Sequence, residues 1–341
     1  MKPSFYFAIV TFLLIVFSSF SVVFAVQNMW LEKSQMPTGR FSFGMAVVDK
    51  RIYVLGGAVD TESGELTGAN EVYDTKNDVW AEKKVMLIPR YGCAVVAYES
   101  KILVFGGIAN GTCFNLNESY DPSTDSWENR TSMPTARGLL QANVVDDKIY
   151  LIGGLGNQTA NEVYEPETDS WTTKSSIPIG VISYVSAVVD NKIIVIGGTN
   201  ANLTQIYDSQ TDIWSFGASI PVNVYGAGSS TVTNEDGTKA IYVVGGETGV
   251  FSPQSIIQIY FPKNNTWRIG ASLPNVNSRL SVAHVDNSLY VIGGTRAVIH
   301  HGLAENLQCN IFSLIPEFPS LTLLPLFMIA ILALIFKKRR F

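Results

Sequence analysis

From about Trp30 to Phe312 the chain alternates short apolar runs with tight polar breaks, and the alternation is periodic. Six apolar runs end in a glycine doublet: Gly56-Gly57, Gly106-Gly107, Gly153-Gly154, Gly197-Gly198, Gly245-Gly246 and Gly293-Gly294. The doublets lie 50, 47, 44, 48 and 48 residues apart. Runs of four to seven residues, rich in β-branched and aromatic side chains and bounded by Gly, Asp and Pro, predict strands. The third repeat shows the plan. Leu139 to Val145 is one strand, Asp146-Asp147 a turn, and Lys148 to Ile152 a second strand ending at the doublet. Asn161 to Glu165 is a third, and Ser170 to Thr173 a fourth.

A Tyr follows five of the doublets, and a Trp follows each Tyr by seven residues: Tyr73/Trp80, Tyr120/Trp127, Tyr164/Trp171, Tyr207/Trp214 and Tyr260/Trp267. A Pro lies seven residues after four of these Trp, at Pro134, Pro178, Pro221 and Pro274. Gly-Gly, Tyr and Trp in fixed order at about this period resembles the kelch repeat. That resemblance implies an all-β, six-bladed kelch-type β-propeller over residues 26–314, with four antiparallel strands per blade. Trp30, with Pro37 seven residues on, precedes the first doublet, and no Trp follows the last. The N-terminal strand is therefore expected to close the last blade, removing an exposed sheet edge. The third strand of that blade has no Tyr.

The two ends read differently. Residues 1–25 have the layout of a signal peptide, with Lys2, an apolar run and a terminus at Val23-Phe24-Ala25. Residues 315–341 run from Ile315-Pro316-Glu317-Phe318-Pro319-Ser320 through an apolar stretch to Lys337-Lys338-Arg339-Arg340. That layout resembles the PEF-type sorting signals of archaeal surface proteins. The resemblance implies processing by an archaeosortase-type membrane enzyme; the apolar stretch and basic tail would otherwise serve as a transmembrane anchor. Both termini are expected to be hydrophobic helices, with the propeller outside the cell at the surface. Six sequons fit an exported glycoprotein, at Asn110, Asn117, Asn129, Asn157, Asn202 and Asn264.

Charge narrows the function. Of 24 basic residues, five lie at the extreme ends, so the body between them has 19 against 29 acidic ones. This excludes nucleic acid as a partner, because binding it needs a basic footprint. The Tyr and Trp of the repeats are assigned to packing. The Asp two residues before Trp (Asp78, Asp125, Asp169, Asp212) is assigned to a turn. Non-repeating residues at the start of each blade, just after the Pro, are the candidates for binding: Arg40, Arg90, Tyr91, Arg137, Tyr184, Tyr225 and Arg279. Pointing to the axis, they would form an Arg/Tyr ring that attracts carboxylates and offers stacking faces to sugars. The resemblance adds that kelch propellers often bind partners at this face.

His284 is expected in the core, and His300-His301 in the loop after Gly294 on the binding face. No catalytic constellation, metal site or cofactor is expected. Cys93 and Cys113 are candidates for a disulfide. The resulting expectation is a cell-surface recognition module for an extracellular glycan or envelope protein. The alternatives are a sugar-modifying enzyme, isomerase- or oxidase-like, and a purely structural envelope component.

Overall fold

A computed structural model describes residues 30–199, 202–234, 236–249, 252–296, 301–311 and 314. The expected signal peptide, the C-terminal segment, both terminal helices and His300 lie outside the described residues.

Among the described residues the chain forms six four-stranded antiparallel sheets, each a blade. Blade 1 is Gly44–Val48, Arg51–Leu55, Asn70–Asp74 and Val79–Lys83, from the axis outward. Blade 2 is Ala94–Tyr98, Lys101–Phe105, Asn117–Asp121 and Ser126–Asn129. Blade 3 begins its inner strand at Gln141 rather than Leu139, and its other three strands are those the repeat predicts. Blades 4 and 5 start at Val185–Val189 and Gly228–Thr233. Blade 6 has Ser281–Val285, Ser288–Ile292 and Asn306–Asn310, and its outer strand is the N-terminal Trp30–Glu32. Trp30 pairs with Cys309, as Trp80 pairs with Tyr73. A cysteine thus stands where the other third strands carry Tyr.

The hairpins follow from turn chemistry. The first and second strands of blade 3 join through Asp146 and Asp147, both left-handed (φ 48° and 58°). A two-residue turn with both φ positive suits the twist of a hairpin, and Asp tolerates that conformation. The doublets are needed for close approach. Gly106 has φ 59°, and a Cβ there would collide with the Arg137 carbonyl of the next blade.

The core lies between blades. Tyr120 of blade 2, with no exposed surface, packs with Val72 and Met86 from blade 1. Full burial of each such large apolar side chain contributes about 1.5–3 kcal/mol. Each Trp also ties its blade to the one before. The indole N–H of Trp80 donates to Ser34 O (2.7 Å), Trp127 to Lys84 O (2.8 Å) and Trp171 to Thr131 O (2.9 Å). Trp214 donates to Ser175 O, Trp267 to Ala218 O, and Trp30 to Ser272 O. The last bond completes the circle.

A second brace uses the turn Asp. Asp78 accepts from the Tyr73 hydroxyl (2.6 Å) and from the Ser34 amide (2.9 Å), just after the neighbouring outer strand. Asp125, Asp169 and Asp212 repeat this with Tyr120, Tyr164 and Tyr207. In blade 5 an amide, Asn265, does the same for Tyr260 and Ala218.

Candidate functional site

The channel mouth is built by the segment that leads into each inner strand. One residue per segment is left-handed: Ser42, Gly92, Leu139, Ser183, Gly226 and Arg279, with φ between 50° and 64°. Their backbones form a closed ring. Ser42 N–H donates to Arg279 O, Gly92 to Ser42, Leu139 to Gly92, Ser183 to Leu139, Gly226 to Ser183 and Arg279 to Gly226, at 2.6–3.1 Å. Polar backbone groups that would face the channel are thereby satisfied. Only two of the six positions are Gly, so a search for glycine spacing passes over the ring.

At this ring lies a cup of about 430 Å³, lined by the six ring residues and by their neighbours on both sides. Tyr91 of blade 2 and Tyr225 of blade 5 stand three blades apart, on opposite sides of its wall. Leu139 of blade 3 and Arg279 of blade 6 are opposed in the same way. The wall is therefore polar toward Arg279 and Tyr225, and apolar toward Leu139 and Leu155. Arg279 is 30% exposed, and its Nε donates to Glu247 Oε1 at 3.1 Å. Its Nη1 and Nη2 have no protein acceptor among the described residues, and its guanidinium lies over the Phe41 ring at 5.8 Å. Glu247 is buried and also accepts from Ser278 Oγ at 2.8 Å. Burial, and then the Glu247 carboxylate, push the Tyr225 hydroxyl above the ordinary tyrosine range.

Three expected ring members are not at the mouth. Arg40, Arg90 and Arg137 have no exposed surface. They lie ten residues after Trp30, Trp80 and Trp127, whereas Arg279 lies twelve after Trp267. That offset of two leaves them outside the ring, packed against the second and third strands of their blades. Each forms an ion pair with a third-strand glutamate: Arg40 with Glu71, Arg90 with Glu118, and Arg137 with Glu162 at 2.6 Å. Each also donates to the first carbonyl of its blade's doublet, as Arg90 Nε does to Gly106 O at 2.8 Å. They are buried cement and cannot touch a ligand. Tyr184 contributes a ring to the cup wall, but its hydroxyl is committed to Ile152 O and the Gln141 amide of blade 3. Glu247, which holds Arg279, was missed because no second Glu or Asp shares its place after a doublet.

The other expectations divide. Cys93 and Cys113 are not joined. Cys93 is buried against Gly106 O, while Cys113 reaches Leu155 O of the next blade, so the thiols face different neighbours. Asn117 is 2% exposed and donates to Thr131 O, which makes it unfit as a glycan acceptor in the fold. Asn70 and Asn161 make the same bond in their blades, so this sequon arises from a structural repeat. Asn110, Asn129, Asn157, Asn202 and Asn264 are exposed. His284 is half-buried on the inner strand, and burial holds its imidazole below the usual range. His301 pairs with Asp60 of blade 1 at 2.5 Å. Among the described residues no three His, Cys, Asp or Glu converge as metal ligands.

Comparison with known proteins agrees with this architecture. A sequence profile described as the KLHDC2/KLHL20/DRC7 Kelch-repeats domain matches residues 42–246. An F-box/kelch-repeat protein of Arabidopsis thaliana is 35% identical over 89 residues, which are 26% of this chain and 23% of that protein. Beta-scruin of Limulus polyphemus is 36% identical over 83 residues, 24% of this chain and 9% of its own. Kelch-like protein 15 of Homo sapiens is 30% identical over 86 residues, 25% of this chain and 14% of that one. The chain thus spans less than a quarter of each of these relatives. The solved "Structure of YjhT" superposes with a TM-score of 0.69 at 17% identity, over 80% of this chain and 95% of that one. At that identity the likeness is one of fold.

Proposed function

Since the chain belongs to the kelch-repeat family and folds as a six-bladed propeller, we propose that it is a recognition module. In this reading the cup at the channel mouth receives an anionic group of an extracellular partner. The observation that carries it is Arg279. Its Nε is fixed by a buried carboxylate, its two terminal nitrogens have no protein acceptor among the described residues, and no other Lys or Arg lines the cup. A guanidinium held by one edge presents the other edge for a bidentate carboxylate. Propellers of this family serve as protein-interaction modules, so the favoured partner is an envelope protein that offers an acidic side chain or chain end. Tyr91 and Tyr225 facing each other across the cup favour a second reading, in which an acidic sugar stacks between them.

Export and surface anchoring belong to the same proposal. Residues 1–25 direct secretion, and residues 315–341 hold the propeller outside the cell, as an anchor or as a PEF-type sorting signal. The test is a binding screen of the full chain in detergent against paired peptides and sugars, each with and without its carboxylate. The variant Arg279→Ala/Glu247→Gln removes the guanidinium without stranding a buried acid. Selective binding of carboxylates, at least tenfold weaker in the variant, is expected. Equal binding by a variant that melts like the parent would discard the site.

A further inference from the structure

The exposed sequons are not spread evenly around the mouth. The loop between second and third strands leaves each blade on the mouth face, where its first residues pair with the segment entering the inner strand: Tyr91 with Ile108, Gly138 with Leu155, and Tyr225 with Glu247. Asn110 is the tip of that loop in blade 2, between Ile108–Ala109 and Thr112–Cys113. Asn157 lies in the same loop of blade 3, and Asn202 in that of blade 4. The corresponding loops of blades 5, 6 and 1 contain no sequon. They carry two ion pairs, Arg279–Glu247 and Arg296–Glu305, and the His301–Asp60 contact instead. Asn264 sits in the turn between third and outer strands, on the opposite face.

We infer that N-linked glycans on Asn110, Asn157 and Asn202 roof the blade 2–4 half of the mouth face and leave the blade 5–6–1 half bare. A glycan is bulky and hydrated, and covers surface around its attachment. Two of the acceptors are open in the folded chain, since Asn110, Thr112, Asn157 and Thr159 are all exposed. The third differs. Thr204, the hydroxyl residue of the Asn202 sequon, has no exposed surface and donates to Ala218 O at 2.8 Å. Its modification must precede closure of blade 4. The bare half contains Arg279 and Tyr225, so a large partner would reach the cup from that side. That last consequence rests on the proposed recognition role, whereas the roof itself does not.

Three aliphatic side chains on this face report the roof. Leu155 and Ile179, on the blade 3–4 side, are 41% and 42% exposed, and Val276, beside blade 6, is 39% exposed. The full chain is produced in a cell that exports and N-glycosylates proteins. Site occupancy is read by glycopeptide mass spectrometry, and hydroxyl-radical footprinting is done before and after enzymatic glycan removal. Expected are occupancy at Asn110, Asn157 and Asn202, none at Asn117, and a several-fold rise in Leu155 and Ile179 labelling on removal with Val276 unchanged. Occupancy at Asn264 without Asn110 and Asn157 overturns the inference, as does no occupancy at any site. An equal rise at Val276 also overturns it. None of these outcomes depends on a ligand, so failure of the binding screen and failure of the roof are separate results.

Discussion

Blades 1 to 3 and blades 4 and 5 fill the same two side-chain positions with different chemistry. In the first three, a buried Arg reaches the doublet carbonyl and a third-strand Glu neutralises it. In blades 4 and 5 the Arg position holds Val181 and Val224, and the Glu position holds Gln205 and Gln258. Each Gln amide bonds the incoming loop twice. Gln205 accepts from Ile179 N at 3.0 Å and donates to Ile179 O at 2.9 Å, and Gln258 does so with Val222 at 2.8 and 2.9 Å. Both charges are present or both are absent. An isolated buried charge costs several kcal/mol, whereas a neutral replacement of the pair costs little. The pair is therefore one structural unit, and the arginines in it are not binding residues. Arg279 stands outside this scheme. The blade 6 counterpart of the buried Arg is Asn277, which donates to Gly293 O at 2.9 Å.

The sharpest way to break this comparison is to convert blade 2 into the chemistry of blade 4. Arg90 Nη1 donates to Ile88 O at 3.0 Å, and Ile88 occupies the loop position of Ile179 and Val222. Arg90→Ala alone leaves Glu118 buried and unpaired, and should cost about 3–5 kcal/mol in urea unfolding. Arg90→Val with Glu118→Gln lets the new amide take over Ile88, and should fall within about 1.5 kcal/mol of the parent. A double variant as unstable as the single one would show that the two halves are not interchangeable.

The repeat, the strand plan and the N-terminal closure were legible because they rest on spacing. Trp, Tyr and the doublets recur too regularly for another explanation. The arginines were misplaced because proximity to the Pro hid a two-residue difference in register. The correct sign was present in the chain: Arg and Glu disappear together between blades 3 and 4. Asn117 misled for a similar reason, since an Asn three residues before Tyr also occurs at Asn70 and Asn161 without a sequon. Glu247, and with it the grip on Arg279, was not legible. It depends on a loop of blade 5 meeting the first segment of blade 6, 32 residues later.

A smaller effect sharpens the comparison by asking what the halves share. The indole braces are alike in both, at 2.8 Å for Trp127 and 2.9 Å for Trp214. Trp127→Phe and Trp214→Phe should each cost about 1–2 kcal/mol, by loss of one hydrogen bond and some contact area. Losses that differ by more than about 1 kcal/mol would mean that the halves diverge in their braces as well as in their buried charges.

The smallest effect contrasts Asp78 of blade 1 with Asn265 of blade 5, which hold their Tyr hydroxyls in the same way. Burial opposes ionisation of Asp78, but bonds from Tyr73, the Ser34 amide and Lys33 outweigh it and bring the carboxylate down to about 2. Its ordinary value is 3.8. A carboxylate that ionises more readily when folded stabilises the fold above its unfolded value, and that contribution is lost as pH falls through the folded value. The loss should therefore appear between about pH 4 and pH 2. An amide does not titrate. Asp78→Asn should shift stability at pH 7 by less than about 1 kcal/mol, since the pair it gives up with Lys33 is partly exposed. Between pH 4 and pH 2 its thermal midpoint should fall less steeply than the parent's. Asp125, Asp169 and Asp212 are also held below the usual range, so part of the slope remains in the single variant. It should flatten further with each Asp→Asn added. An unchanged slope in the fully substituted chain would place acid sensitivity elsewhere and leave blade 5's Asn265 as a substitution without consequence.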